Sequence, residues 1–144
     1  MLRRGILNPA INSLLARVRH TNTLVIADRG FPYWPSVETI DISLVDDIPK
    51  VLDVLRAVRE NFFFGRAFMA EEFRAVNTQE TVALYEDLLK PAELVLEPHV
   101  QFKKRVPSAT GIIRTADTVQ YANVILESDR KSTRLNSSHI EPSR

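Results

Sequence analysis

The sequence has 144 residues, of which 44% are hydrophobic and 26% are charged, and its formal net charge is +1. A chain of this size and composition is typical of one globular domain with a sizeable core, and the balanced charge gives no electrostatic reason to expect binding to nucleic acid or to an anionic membrane. Cysteine is absent from the sequence, which excludes disulfides, thiolate nucleophiles and cysteine-ligated metal sites.

Neither a signal peptide nor a membrane span is predicted from the sequence. Asn8, Pro9 and Asn12 interrupt the apolar stretch that a signal peptide needs, and no segment approaches the ~20 apolar residues of a membrane span. We therefore expect a cytoplasmic protein with no membrane partner. Residues 130–144 are polar and rich in serine and basic residues, and "KSTRLNSSH" resembles translated cloning sequence. We expect a disordered, non-native tail there and a single domain over residues 1–129.

Apolar periodicity predicts helices and strands in alternation along the first half of the domain. The segment "NPAINSLLARVR" reads as a helix with Asn8 as its cap and Pro9 in its first turn. Two strands, "TLVIAD" and "ETIDISL", follow. The segment "DIPKVLDVLRAVRENF" is expected to form a helix with Asp47 as its N-cap and Pro49 at its start.

The same alternation continues to the end of the domain. We expect "GRAFMAEEF" to begin as a strand and "NTQETVALYEDLLK" to form a helix that is capped by Asn77 or Thr78 and ends before Pro91. The remaining elements are a strand in "AELVLEP", a short helix in "HVQFKKRV" and strands in "ATGIIRTA" and "NVILES". The fold class that follows is α/β, with a largely parallel sheet covered by helices on both faces.

The sequence has only four glycines, so neither a GxGxxG nor a GxxxxGK[ST] loop can be written, and a G-x-S-x-G nucleophile elbow is also absent. Any chemistry must therefore depend on histidine, carboxylates, lysine, tyrosine and amides.

The stretch "RHTNTLVIADRG" contains two candidate site residues. Asp28 stands where a strand ends, and ligands of open α/β sheets bind beyond the carboxyl ends of the strands. His20 stands at a helix-to-strand junction, where an imidazole can act in catalysis, cap helix carbonyls or face solvent. A fully extended segment would hold the two residues ~26 Å apart. They can share a pocket only if "HTNT" turns back or if the pocket lies between two subunits.

Two further pairs offer polar chemistry, and in one of them, Tyr121 and Asn123, a hydroxyl and an amide could bind sugar hydroxyls. His99 and Lys103 lie four residues apart, on one face of a helix, and Tyr121 and Asn123 lie two apart, on one side of an extended backbone. The alternatives are a surface helix for the first pair and a structural hydrogen bond at the start of a strand for the second.

Aromatic and acidic side chains form two more clusters. In "RGFPYWPS", Phe31, Tyr33 and Trp34 favour an interface over sugar stacking. In "AEE", Glu71 and Glu72 could be a catalytic pair, or one could be solvated and the other salt-bridged.

Taken in order, these segments resemble the D-ribose pyranase and L-fucose mutarotase family (RbsD/FucU). The segments that carry the resemblance are "GILN", "HTNTLVIADRGFP", "IDISL", "AEE", "HVQFK" and "GIIRTADTVQYANVIL", which span about Arg4 to Leu126. The resemblance implies that His20 is the proton donor and that Asp28 is a sugar ligand. It also implies that four further residues lie at the sugar, namely His99, Lys103, Tyr121 and Asn123.

The resemblance also implies an activity and an assembly. The reaction opens the hemiacetal ring of an aldose by general acid–base chemistry, with His20 protonating the ring oxygen, and it requires neither a metal nor an organic cofactor. Ala122, between Tyr121 and Asn123, favours ribose over fucose. The family forms homo-oligomeric rings of five subunits, often stacked in pairs as decamers. L-fucose mutarotation, a non-catalytic sugar-binding subunit of sugar uptake and a purely structural ring protein are the alternatives.

Overall fold

A computed structural model of the protein describes residues 3–129, and the expected tail at 130–144 lies outside the described residues. Six strands form a single sheet, and their bounds are β1 Thr23–Ala27, β2 Thr39–Asp41, β3 Phe64–Ala70, β4 Glu93–Glu97, β5 Gly111–Arg114 and β6 Val124–Ser128. Their order across the sheet is β2–β5–β1–β6–β3–β4.

The direction of β6 determines which loops meet at the edge of the sheet. Strands β1, β2 and β5 run parallel to one another, as do β3 and β4, whereas β6 is antiparallel to both of its neighbours, β1 and β3. The predicted α/β fold with a largely parallel sheet is thus confirmed. Because Val124 pairs with Ile26, the residues that precede β6 lie beside the carboxyl end of β1.

Residues 3–129 also form five α-helices, and most of the helix boundaries agree with the sequence signals. Their bounds are α1 Pro9–Arg17, α2 Val51–Arg59, α3 Glu72–Val76, α4 Gln79–Leu89 and α5 His99–Lys104. The N–H of Ile11 donates to Asn8 Oδ1 at 3.0 Å, and the N–H of Thr81 donates to Thr78 Oγ1 at 3.2 Å. Asn8 and Thr78 are therefore the N-caps of α1 and α4, as expected. Helix α3 has no counterpart among the predicted elements.

The expected N-cap of α2 is wrong. The helix begins after Lys50, whose backbone N–H donates to Asp53 Oδ2 at 2.8 Å. Asp47 instead accepts from the N–H and the hydroxyl of Thr118, at 3.0 and 2.8 Å. The chain first makes a tight turn, in which the N–H of Leu44 donates to the carbonyl of Ile48, and this turn delays the start of the helix.

The core has two layers, one on each face of the sheet. Along β1, Leu24 and Ile26 point into one layer, and Val25 and Ala27 point into the other, as strand geometry requires. Helices α1, α2 and α4 cover the first face. The second face is covered by α5, by a 3₁₀ turn at Val106–Ser108 and by the loop that carries Phe31. Helices on both faces are thus confirmed. Within residues 3–129, no helix has the length and apolar character needed to cross a bilayer.

Candidate functional site

A cavity of about 400 Å³ opens where β1 ends. Three parts of the chain form it: the loop after β1, the first turn of α5 and the segment before β6. Its lining residues are Asp28, Gly30, Phe31, Pro32, His99, Gln120, Tyr121 and Asn123. This volume falls in the range of small-molecule pockets, and the position matches the rule that ligands bind beyond the carboxyl ends of parallel strands.

Asn123 joins β6 to the end of β1. The residue is 4% exposed, and its Oδ1 accepts from the backbone N–H of Asp28 at 2.7 Å. The antiparallel direction of β6 makes this contact possible, because it places the residue before β6 next to the residue after β1. Among the residues that the structure describes, Nδ2 of Asn123 makes no hydrogen bond, which leaves a donor for a ligand at the cavity wall.

Asp28 is half-buried at the floor of the cavity. Its Oδ1 accepts from the N–H of Gly30 at 3.0 Å, and Arg114 fixes the following loop by donating to the carbonyls of Arg29 and Pro32 at 3.1 and 3.3 Å. Burial raises the pKa of the Asp28 carboxyl, and the nearby charge of Asp117 adds to this rise against the opposing effects of Gly30 and Arg114. Asp28 therefore takes up a proton more readily than an exposed aspartate.

His99 is the histidine that lines the cavity, and three contacts hold it. Its backbone N–H donates to Glu72 Oε1 at 2.9 Å, so one of the two candidate acids caps α5 while Glu71 is exposed. Its ring stacks on Phe102 at 5.9 Å and meets Tyr121 edge to face at 5.1 Å between centroids. Its Nδ1 is buried without a hydrogen-bond partner.

The environment of His99 favours the neutral imidazole. Burial lowers its pKa, and the positive charge of Lys103 lowers it further, against the opposing effect of Glu72. A neutral imidazole can accept a proton or a hydrogen bond from a hydroxyl at neutral pH.

The backbone of Tyr121 adopts a conformation that is unusual for a residue with a side chain. Its φ is +58°, in the left-handed region, where non-glycine residues store strain of about 1–3 kcal/mol. The loop is held from outside, since Asn77 Nδ2 donates to the carbonyl of Gln120 at 3.0 Å. Strain of this kind persists only where the surrounding structure determines the conformation.

The structure brings four of the six expected site residues to one cavity, namely Asp28, His99, Tyr121 and Asn123. His20 is exposed in a turn at the other end of β1, where the N–H of Asn22 donates to the carbonyl of Arg19 at 2.9 Å. The segment "HTNT" thus does not carry His20 back to the cavity of its own chain. Lys103 lies one turn after His99 on α5 and does not line the cavity, although its charge acts on His99.

Four lining residues were not among the expected ligands: Gly30, Phe31, Pro32 and Gln120. The sequence favours an interface role for Phe31, but Phe31 is 4% exposed and packs on Phe102 and Trp34, each at 6.3 Å between centroids. Tyr33 is 73% exposed, so the interface role stays a prediction for that residue. The sequence signal available for these residues was their nearness to Asp28, in the case of Gly30, Phe31 and Pro32, and to Tyr121, in the case of Gln120. Within residues 3–129, no group of three or more His, Asp and Glu residues could hold a metal ion.

The chain is similar to known proteins of one family over nearly all of its described residues. A sequence model of the RbsD / FucU transport protein family matches residues 1–129. The D-ribose pyranase of Bacillus cytotoxicus is 39% identical over 126 residues, which cover 88% of this chain and 95% of that protein. The D-ribose pyranase of Geobacillus kaustophilus is 40% identical over 133 residues, which cover 89% and 93%.

Solved structures extend the similarity to the fold. Bacillus subtilis RbsD complexed with D-ribose superposes with a TM-score of 0.84 at 34% identity, covering 90% of this chain and 98% of that one. The fucose mutarotase of Streptococcus pneumoniae in complex with L-fucose has a TM-score of 0.75 at 16% identity, covering 89% and 98%. At that identity the likeness concerns the fold alone.

Proposed function

Because the chain belongs to the RbsD/FucU family, we propose that it is a monosaccharide pyranase that interconverts the pyranose, furanose and anomeric forms of an aldose, with D-ribose as its substrate. The observation that carries this proposal is the cavity at the end of β1, where Asp28, His99, Tyr121 and Asn123 meet. Curated relatives near 39% identity are D-ribose pyranases, and the similar structure of RbsD holds D-ribose. Ala122, which the family resemblance associates with ribose rather than fucose, is buried beside the site.

The reaction needs two proton transfers. One group takes the proton of the anomeric hydroxyl while another gives a proton to the ring oxygen, and the bond between C1 and the ring oxygen breaks to leave an open aldehyde. The aldehyde then closes on the other face or through a different hydroxyl. In the proposed site, Asp28 accepts from a sugar hydroxyl, Nδ2 of Asn123 donates to another, and Tyr121 helps to position the rest. Lys103 does not line the cavity of its own chain, so its expected contact with the sugar stays a prediction. Neither a metal nor an organic cofactor has a step in this scheme.

The proton donor of the proposed mechanism is His20. It lies at the opposite end of β1 from the cavity, so it can reach a sugar only in the cavity of a neighbouring subunit. We therefore take the active protein to be a homo-oligomer, with a ring of five subunits or a pair of such rings as the expected form, in the cytoplasm. The exposed Tyr33, at the rim of the loop that lines the cavity, is a candidate contact in that assembly.

The position of His20 also favours a second candidate function. A chain whose own cavity does not include His20 could bind a monosaccharide without acting on it, as a sugar-binding subunit linked to sugar uptake. The two functions differ in whether exchange between sugar forms depends on the protein. Both require Asp28 and Asn123.

Saturation-transfer NMR between the pyranose and furanose signals of D-ribose tests the proposal directly. Catalysis is expected to accelerate exchange, and His20→Asn to lower the rate by about 10²- to 10⁴-fold, the usual contribution of general acid–base catalysis. Arg19→Gln, which changes the neighbouring exposed residue, serves as the matched control and should leave the rate unchanged. L-fucose in place of ribose tests the alternative substrate. Ribose binding by an oligomer that does not accelerate exchange would support the sugar-binding function instead.

Mixed oligomers test whether two chains share a site. His20→Asn and Asp28→Asn subunits are each expected to be inactive alone. In a mixed ring, some interfaces combine an intact His20 with an intact Asp28, so activity should return when the two variants are unfolded and refolded together. Native mass spectrometry gives the subunit count of the same samples. Mixed rings that stay inactive would show that His20 does not act across an interface.

A further inference from the structure

A buried carboxylate behind the cavity is not used by the proposed reaction. Asp117 is 1% exposed and lies in the loop between β5 and β6. Burying an ionised carboxylate is costly unless donors surround it. Asp117 Oδ2 accepts from the hydroxyl of Tyr85 at 2.8 Å and from the N–H of Val51 at 2.9 Å, and its Oδ1 accepts from the N–H of Val119 at 2.8 Å. No lysine or arginine of the described chain forms an ion pair with it.

These bonds connect α2 and α4, two of the three helices that cover the first face of the sheet, to the site. Tyr85 belongs to α4 and Val51 is the first residue of α2, where the helix dipole favours a negative charge. The ring of Tyr85 is itself fixed, since it is 1% exposed and packs edge to face on Phe73 at 4.9 Å between centroids. The carboxylate of Asp117 is therefore anchored to the rigid part of the fold.

From that anchor, Asp117 reaches both sides of the cavity. Its backbone carbonyl accepts from the N–H of Arg29 at 3.0 Å, which fixes the residue after Asp28. Its carboxylate holds Val119, two residues before Tyr121, whose left-handed backbone needs external support. One residue thus restrains the two segments that carry the sugar-binding side chains.

We infer that Asp117 is a positioning residue of the sugar site: its buried carboxylate, held by Tyr85 and the first turn of α2, fixes the loops that carry Asp28 and Tyr121 and acts on Asp28 through its charge. This inference rests on the proposed function of the cavity. Asp117 does not line that cavity and has no contact with the sugar in the proposed scheme.

The effect of the Asp117 charge on Asp28 depends on the other charged and titratable groups that face Asp28. Arg114 from β5 favours the ionised form of Asp28, whereas the negative charge of Asp117 opposes it. His99, across the cavity on α5, is neutral near pH 7, and Arg29 pairs with the exposed Asp46. Because Asp117 is the like charge that raises the pKa of Asp28, its removal should lower that pKa.

The test compares Asp117→Asn, which keeps the shape and removes the charge, with Asp46→Asn, which removes an exposed carboxylate near the same loop. Carbon-13 NMR follows the titration of the Asp28 carboxyl, and NMR titration gives the Kd for D-ribose. Asp117→Asn is expected to lower the pKa of Asp28 and to weaken ribose binding by at least about ten-fold, since hydrogen bonds to charged groups are strong. Asp46→Asn should change neither, because solvent screens its charge. A folded Asp117→Asn protein that keeps the wild-type pKa of Asp28 or the wild-type Kd would overturn the inference.

Tyr85→Phe tests the positioning role of Asp117 if Asp117→Asn does not fold. It removes one donor to Asp117 and keeps the charge and the aromatic packing. The amide resonances of Val119 and Tyr121 should shift, and the Kd for ribose should rise by about three-fold or more; unchanged resonances and Kd would contradict the inference. Binding and titration do not depend on turnover. A wild-type protein that fails to accelerate sugar exchange therefore disproves the proposed function without deciding the role of Asp117.

Discussion

The ring of His99 meets the ring of Tyr121 edge to face, with 5.1 Å between their centroids, at the wall of the cavity. This contact and the stacking on Phe102 bury one side of the imidazole. Because a charged imidazole loses solvation there, the pair favours a neutral His99.

The titration of His99 should depend on Lys103. The pKa of His99 lies below its ordinary value because of burial and the Lys103 charge, so the ring is expected to stay neutral at neutral pH and to gain a proton only in more acidic solution. Lys103→Gln removes the repulsion and should raise this pKa, which proton NMR of the imidazole measures directly. Lys104→Gln is the matched control on the same helix, and it is expected to have a much smaller effect. Equal shifts in the two variants would mean that Lys103 has no specific influence.

Asn123 should contribute to both stability and binding. Asn123→Ala leaves the N–H of Asp28 without its acceptor at a part-buried position, and an unsatisfied buried donor costs about 1–3 kcal/mol. Urea denaturation should show that loss in the free energy of unfolding, and ribose binding should weaken as well. Gln120→Ala is a suitable control because Gln120 lines the same cavity but is exposed. It should weaken binding while changing stability by less than about 0.5 kcal/mol.

The sequence predicted the site residues that follow from local rules. Asp28 ends a strand, and strand ends of a parallel sheet are where ligands bind. Local rules could not predict that Tyr121 and Asn123 lie close to Asp28. This proximity depends on the antiparallel direction of β6, and an isolated apolar run does not specify strand direction. The sequence also did not predict the long-range hydrogen bonds. The carboxylate that accepts from the first N–H of α2, for example, belongs to Asp117, which is distant in sequence. The residues that His20 would contact in an assembly could not be predicted either, because they depend on how several chains pack together.

Gly111 should not tolerate a side chain. A Cβ at this position would lie 2.6 Å from Cδ1 of Leu14 and 3.3 Å from the backbone oxygen of Glu38, and Leu14, which belongs to α1, is fully buried. Overpacking of a close-packed core costs about 1–3 kcal/mol, so Gly111→Ala should lower the free energy of unfolding by that amount. Gly30→Ala is the comparison, since the nearest atom to its Cβ would be 3.9 Å away. Equal stability of Gly111→Ala and the wild type would show that the side chain of Leu14 or helix α1 shifts without cost.

Asp28 should reduce the stability of the fold at neutral pH while serving the site. The pKa of its carboxyl is raised in the folded state, chiefly by burial, above the value of ~3.9 for an unfolded chain. Below the pKa of the unfolded chain, Asp28 is protonated in both the folded and the unfolded state, and the folded state loses no stability. As the pH rises through the folded pKa, the folded state must hold a partly buried charge, and stability falls.

Asp28→Asn keeps an acceptor for the N–H of Gly30 and removes that charge. It should therefore be more stable than the wild type near pH 7, with the difference vanishing below about pH 4, and it should lose sugar exchange. Urea denaturation at both pH values measures the difference, and a variant less stable than the wild type near pH 7 would show that the ionised carboxylate is favoured in the fold.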